Sequence, residues 1–171
     1  CNLYCVFCQN HDISHRAEGT RFSPADLASA MLELQAMGCH NINLVTPSHV
    51  ILPILEALAV AAANGLNLPL VYNSGGYDSP TTIGLLDGIV DIYMPDLKFM
   101  DPESARRWTI APDYPAVAAS AILAMQASVG DLQVDSCGIA TRGLLVRHLV
   151  LPGGAADSRA VLDFLAERGS R

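Results

Sequence analysis

Ser23-Pro24-Ala25-Asp26-Leu27-Ala28-Ser29-Ala30-Met31-Leu32-Glu33-Leu34-Gln35-Ala36-Met37-Gly38, followed by Asn41-Ile42-Asn43-Leu44-Val45, is the stretch that decides the fold class. Ser23 is placed to cap a helix, Pro24 suits its first position, and Asp26 puts an acid in its first turn. Leu27, Met31 and Leu34 recur at helical spacing until Gly38 ends the run. Asn41 to Val45 then alternates polar and apolar residues at the period of a strand. A helix feeding directly into a short strand is half of a parallel α/β repeat.

Downstream the alternation continues. Ile51 to Asn64 reads as a helix closed by Gly65, and Leu68 to Asn73 as a strand. Pro80 to Leu86 is a short helix, Ile89 to Met94 a strand, and Asp101-Pro102-Glu103 opens another short helix. Asp113 to Val129 is a long alanine-rich helix stopped by Gly130. Leu132 to Arg142 reads as an irregular hairpin, Leu144 to Leu151 as a strongly apolar strand, and Asp157 to Arg168 as a final helix with Gly169 at its end. Strands each followed by helices predict an α/β fold, a partial (β/α) barrel, with an open doubly wound sheet as the alternative. In both, ligands belong at the C-terminal ends of the strands. The loops there are Thr46-Pro47-Ser48-His49, Asn73-Ser74-Gly75-Gly76-Tyr77, Pro95-Asp96-Leu97-Lys98 and Pro152-Gly153-Gly154. They are polar and rich in Gly and Pro.

With 171 residues, 18.1 kDa and 51% hydrophobic residues, the chain suits one domain whose core needs no disulfide staples. Ten basic against 17 acidic residues, a net charge of −7, argue against a nucleic-acid binder. The most apolar stretch, Val50 to Leu66, is broken by Pro53, Glu56 and Asn64 and is too short to span a bilayer. No secretion signal opens the chain, so a cytoplasmic location is expected. The sequence begins on Cys1, inside a motif and without an initiator Met, and is expected to be a fragment lacking the first and last strands of its barrel.

Three of the 5 cysteines fall in the first eight residues, as Cys1-x-x-x-Cys5-x-x-Cys8. An odd number of thiols this close suits a soft metal centre better than disulfides. An iron–sulfur cluster normally takes four Cys, so three would leave one iron free for a ligand that is not protein. Zinc with His11 as a fourth ligand is the rival reading. Cys39 and Cys137 follow a helix and lie in the hairpin, on the opposite end of the sheet, and are not expected to be ligands.

Cys1-Asn2-Leu3-Tyr4-Cys5-Val6-Phe7-Cys8-Gln9-Asn10 resembles the cluster loop of radical S-adenosylmethionine (SAM) enzymes, a CxxxCxxC pattern with an aromatic residue, here Phe7, before the last Cys. More narrowly it is similar to an uncharacterised branch of proteins related to pyruvate formate-lyase activating enzyme. Asn41–His49, Tyr72–Tyr77, Asp91–Lys98 and Arg147–Gly153 each match that branch in order. The resemblance implies a 4Fe–4S cluster on Cys1, Cys5 and Cys8, with SAM chelating the fourth iron through its amino and carboxylate groups. One electron, from a donor such as flavodoxin or ferredoxin, would cleave SAM to a 5′-deoxyadenosyl radical that abstracts hydrogen. A protein substrate, such as the glycyl residue of a partner enzyme, is one target it suggests.

Residue by residue, the resemblance puts Met94 and Asp96 near a cation site and Lys98 near SAM, and Arg147 in the lumen facing SAM. The alternation of Ile89 to Lys98 agrees, since Ile92, Met94, Asp96 and Lys98 share one face. A charged Arg147 in so apolar a strand needs an anion or a paired carboxylate, and His148, facing the other way, is expected to pack beneath a helix. Ser74 and Gly75 offer small residues where a ribose or carboxylate approaches closely. Asn43 makes one face of its strand polar, as a ligand-filled lumen would. Two departures stand out. Asn73 replaces an acid of the activating enzyme, weakening cation binding there. Thr46-Pro47-Ser48-His49 replaces the Gly-Gly-Glu-type segment that binds the SAM amino group, leaving Thr46 as a substitute. His15 is expected to face solvent.

Overall fold

A computed structural model describes residues 1–168, so the expected helix stop at Gly169 lies outside the described residues. The elements run α1 (His11–Arg16), α2 (Pro24–Ala36), β1 (Ile42–Val45), α3 (Ile51–Ala63), β2 (Leu70–Ser74), α4 (Pro80–Leu85), β3 (Ile92–Pro95), α5 (Pro102–Thr109), α6 (Tyr114–Val129), β4 (Gln133–Val134), β5 (Ala140–Leu144) and α7 (Ser158–Arg168). The sheet has the order β1-β2-β3-β5-β4. β1, β2, β3 and β5 are mutually parallel, and β4 joins the edge antiparallel to β5. The mixed α/β class is as the sequence predicts.

Residues paired in a parallel ladder point to the same side of the sheet. Leu44, Tyr72, Tyr93 and Leu144 form one such row. That side is packed by helices: Ala28 and Met31 of α2 and Ile54, Leu58 and Ala61 of α3 meet Ile42 and Leu70. Tyr114, Ala118, Ile122 and Met125 of α6 join the cluster that contains Tyr72, Tyr93 and Leu144. Burying these apolar faces is what holds the two layers together, at about 1.5–3 kcal/mol for each large side chain. The opposite side carries the rows Asn43–Val71–Ile92–Gly143 and Val45–Asn73–Met94. Asn43 and Val45 are exposed there, while Val71, Asn73 and Ile92 are buried.

The expected strand Leu144 to Leu151 needs correction. The parallel strand starts earlier, at Ala140, within the second arm of the expected hairpin, and only Leu144 of the apolar run belongs to it. Gly143 permits this register: its φ is +116°, and a Cβ there would lie 2.4 Å from the Asp131 carbonyl oxygen. Beyond Leu144 the chain stays extended beside β3, with Leu145 N–H donating to the Tyr93 carbonyl and Arg147 N–H to the Pro95 carbonyl, both at 2.9 Å. The apolar run is only partly used for burial, since Leu149 and Val150 are exposed. The short α1 was not expected from the sequence. Among the described residues no helix is long and apolar enough to cross a membrane.

Candidate functional site

The cysteine segment lies over the C-terminal ends of the parallel strands because several backbone contacts pin it there. Tyr4 N–H donates to the Thr109 carbonyl at 3.3 Å and Val6 N–H to the Trp108 carbonyl at 3.0 Å, tying it to the end of α5. Asn2 Nδ2 donates to the Tyr77 carbonyl at 2.6 Å, and Leu3 is buried in the main core. A turn with Cys8 N–H on the Cys5 carbonyl at 3.1 Å completes the loop.

Beneath it opens a cleft of about 400 Å³, lined on one side by Cys1, Cys5, Phe7 and Cys8 and on the other by Asn73, Asp96, Lys98 and Arg147. Thr46, Ser74 and Gly75 also line it. Of the residues expected from the sequence, the two that do not line it are Asn43 and Met94. Both stand lower on the same face, in rows that end in Val45 and Asp96 above them.

Asp96 is the centre of charge. Its carboxylate accepts from Lys98 Nζ and from Arg147, whose guanidinium nitrogen lies 2.7 Å away. Asp96 and Arg147 also bridge as backbone neighbours. The Arg147 charge therefore meets the paired carboxylate that its apolar surroundings demand. Side-chain exposures of 14% for Lys98 and 20% for Asp96 set this pair apart from a solvated surface pair.

Two backbone features shape the rim. Gly76 has φ +79°, and a Cβ there would lie 2.1 Å from the Asp96 carbonyl oxygen, so only glycine lets the loop after β2 close onto the loop after β3. Thr46, a non-glycine residue at φ +54°, holds a left-handed conformation while its N–H donates to the Asn73 carbonyl at 2.7 Å. Such a conformation costs of order 1 kcal/mol and tends to collect at functional sites.

Sequence reasoning missed Asp78. Its carboxylate is buried, and it accepts hydrogen bonds from Ser48 at 2.5 Å, Tyr72 at 2.9 Å and Ser74 at 2.6 Å. Ser74 Oγ in turn accepts from Gly76 N–H at 3.1 Å, so Asp78 braces the Gly75 turn from below. Its position just before the helix-capping Ser79 disguises it as an ordinary turn acid. Tyr114 was also missed: from α6 its hydroxyl donates toward the Asp96 and Gly75 carbonyls, at 2.8 and 3.0 Å, and accepts from Lys98 N–H at 3.0 Å.

His148 sits against the first residue of α7, with Nε2 2.9 Å from Ser158 Oγ and Nδ1 2.7 Å from the Leu97 carbonyl oxygen. The expected packing against a helix is present, although the ring also touches the cleft wall. Cys39 is half-buried after α2, and Cys137 is exposed in the turn between β4 and β5. Neither lines the cleft.

The donor set can be weighed against the two inorganic groups expected. Among the described residues no group of three or more Cys, His, Asp or Glu side chains is gathered tightly enough for a single metal ion. His11 stacks on His15 with centroids 4.7 Å apart and does not line the cleft, which disfavours the zinc reading. Three unpaired, half-buried thiols line the cleft with no fourth cysteine on its wall, a donor set that an iron–sulfur cluster with one non-protein ligand would accept. The Cys5 thiol is pushed above the ordinary range by burial, which outweighs the Lys98 charge pulling it down. A positively charged inorganic group would reverse that balance.

No protein-family model and no solved structure matches this chain. An uncharacterised protein of Methanocaldococcus jannaschii is 27% identical over 177 aligned positions, which take in 98% of this chain and 47% of that protein. The chain thus spans about half the length of the curated relative it matches.

Proposed function

We propose that this chain is the core of a radical SAM enzyme, built as part of a (β/α) barrel wall, that binds a 4Fe–4S cluster through Cys1, Cys5 and Cys8. The observation that carries the reading is the meeting, in one cleft, of all three motif cysteines with Asp96, Lys98 and Arg147. These groups come from the start, the middle and the last part of the sequence. The order of the parallel strands, which never reverses, and the packing of α2, α3 and α6 against one side of the sheet support a barrel wall over a doubly wound sheet.

When bound, the cluster and SAM supply a 5′-deoxyadenosyl radical able to abstract hydrogen; the protein's part is binding, orientation and exclusion. Asp96 presents a carboxylate to a ligand ammonium, and Arg147, exposed on the cleft side, presents its free donors to a ligand carboxylate. Lys98 holds Asp96 in place and keeps the floor from carrying net negative charge. Gly75 leaves the wall without a side chain where a ribose would lie. Phe7, resting on Phe99 with centroids 6.3 Å apart, gives the cleft an apolar wall that would help keep water from a reactive species. An electron donor such as flavodoxin or ferredoxin and a hydrogen-donating substrate, a protein among the candidates, belong to this proposal.

Anaerobic reconstitution with iron and sulfide tests it. The expected result is a brown protein whose cluster signal in electron paramagnetic resonance changes when SAM is added. Cys1→Ala, Cys5→Ala and Cys8→Ala should lose the cluster and Cys39→Ala keep it. A colourless protein that takes up zinc in place of iron overturns the proposal.

A further inference from the structure

The segment just after the cysteine loop carries a chain of polar contacts that ends on a motif sulfur. Ser14 Oγ lies 3.5 Å from Cys8 Sγ and 2.8 Å from His15 Nδ1. The His15 ring is packed between Tyr4, with centroids 4.8 Å apart, and His11, at 4.7 Å. The ring expected to face solvent is therefore held in a defined orientation, with Nδ1 aimed at the Ser14 hydroxyl.

Donor counting fixes the direction of this chain once Cys8 binds iron. A metal-bound thiolate has lone pairs and no proton, so it can only accept. Ser14 has one hydroxyl proton, which then goes to Cys8 Sγ. The serine oxygen is left as an acceptor, and His15 Nδ1–H is the donor within reach. We infer that Ser14, aligned by His15, is a positioning residue that donates a hydrogen bond to the Cys8 thiolate and raises the reduction potential of the cluster. The inference rests on the proposed cluster reading and adds to it a means of tuning. A hydrogen bond to a cluster sulfur disperses negative charge, and so stabilises the more negative, reduced state. The short α1 thereby gains a purpose: it returns Ser14 to the loop it has just left.

Potentiometric titration of the reconstituted protein, followed by electron paramagnetic resonance, reads this directly. Ser14→Ala should shift the potential to a more negative value with the cluster content unchanged. Ser14→Thr, which keeps the hydroxyl, should hold the parent potential, and His15→Phe, which keeps the ring stack, should shift it in the same direction as Ser14→Ala. A parent potential in Ser14→Ala overturns the inference while leaving the cluster reading intact. Should Ser14→Ala hold no cluster, Ser14→Thr decides: recovery of the cluster at the parent potential supports the hydroxyl, and an equally empty Ser14→Thr assigns the position to packing. A parent protein that binds no cluster overturns the reading beneath.

Discussion

Asp96 is held between two cations, and its replacement separates charge from shape. Asp96→Asn keeps the size of the side chain and leaves Lys98 and Arg147 facing a neutral amide. Breaking a fully buried pair costs roughly 3–5 kcal/mol. Arg147 is 44% exposed, so water takes over part of its solvation. A loss of about 2 kcal/mol is the expected outcome, measured by urea denaturation. The same variant should bind SAM more weakly by calorimetry, because a ligand ammonium loses its counter-charge. Single residues were also where the sequence was most and least informative. Spacing alone singled out Cys1, Cys5 and Cys8, and the cost of a charge in an apolar run singled out Arg147; all four line the cleft. Asp78 and Tyr114 left no such trace, because each acts through distant partners: hydroxyls of Ser48, Tyr72 and Ser74 for the one, carbonyls of Gly75 and Asp96 for the other.

Among the elements, α2 shows how fully local chemistry can specify a helix. Ser23 Oγ accepts from Asp26 N–H at 3.1 Å, and the Asp26 carboxylate accepts from Ser23 N–H at 3.1 Å. This reciprocal cap holds the Asp26 carboxyl below its usual range, chiefly through the bond from the Ser23 hydroxyl. Ser23→Ala should cost about 1 kcal/mol, visible as a lowered thermal midpoint. β5 shows the opposite case. Hydrophobicity pointed to Leu144–Leu151, yet pairing follows the backbone approach that Gly143 allows, and the apolar side chains of Leu149 and Val150 are left at the surface. A period-two pattern records which face a strand buries; it carries no information on which of two adjacent segments forms the ladder.

At the scale of the whole molecule, the core is built around tyrosines. Tyr72 and Tyr93 meet edge to face with centroids 5.6 Å apart, and both are fully buried with Tyr114. Burial pushes Tyr93 up to about 12, with the Asp87 charge adding to it. Burial also raises Tyr72, helped by the Asp78 carboxylate, and raises Tyr114 well above the ordinary value. In the unfolded chain these phenols ionise near pH ~10. A raised folded value means that the native state keeps protons the unfolded state has lost. The stabilisation is whole below about pH 10 and falls away as pH rises from there through the folded value. Alkaline unfolding should therefore be cooperative, with tyrosinate absorbance and circular dichroism changing together. Gradual ionisation of these tyrosines with the circular dichroism unchanged would contradict it. The alternating layers of this core were visible in the sequence; its dependence on three phenols was not, since the spacing of a Tyr along one element does not show which others it meets across the fold.

The oxygen of Tyr114 works as a hinge pin. It passes from the outer wall through to the rim and fastens two neighbouring loops at one point. A displacement of the long helix that carries it would therefore be felt at the mouth of the cleft, through the Gly75 and Asp96 carbonyls it holds. The alignment of the ligand-facing side chains is in this sense a gauge of the outer layer's tightness, and a molecule lodged in that mouth would in return stiffen the helix behind it.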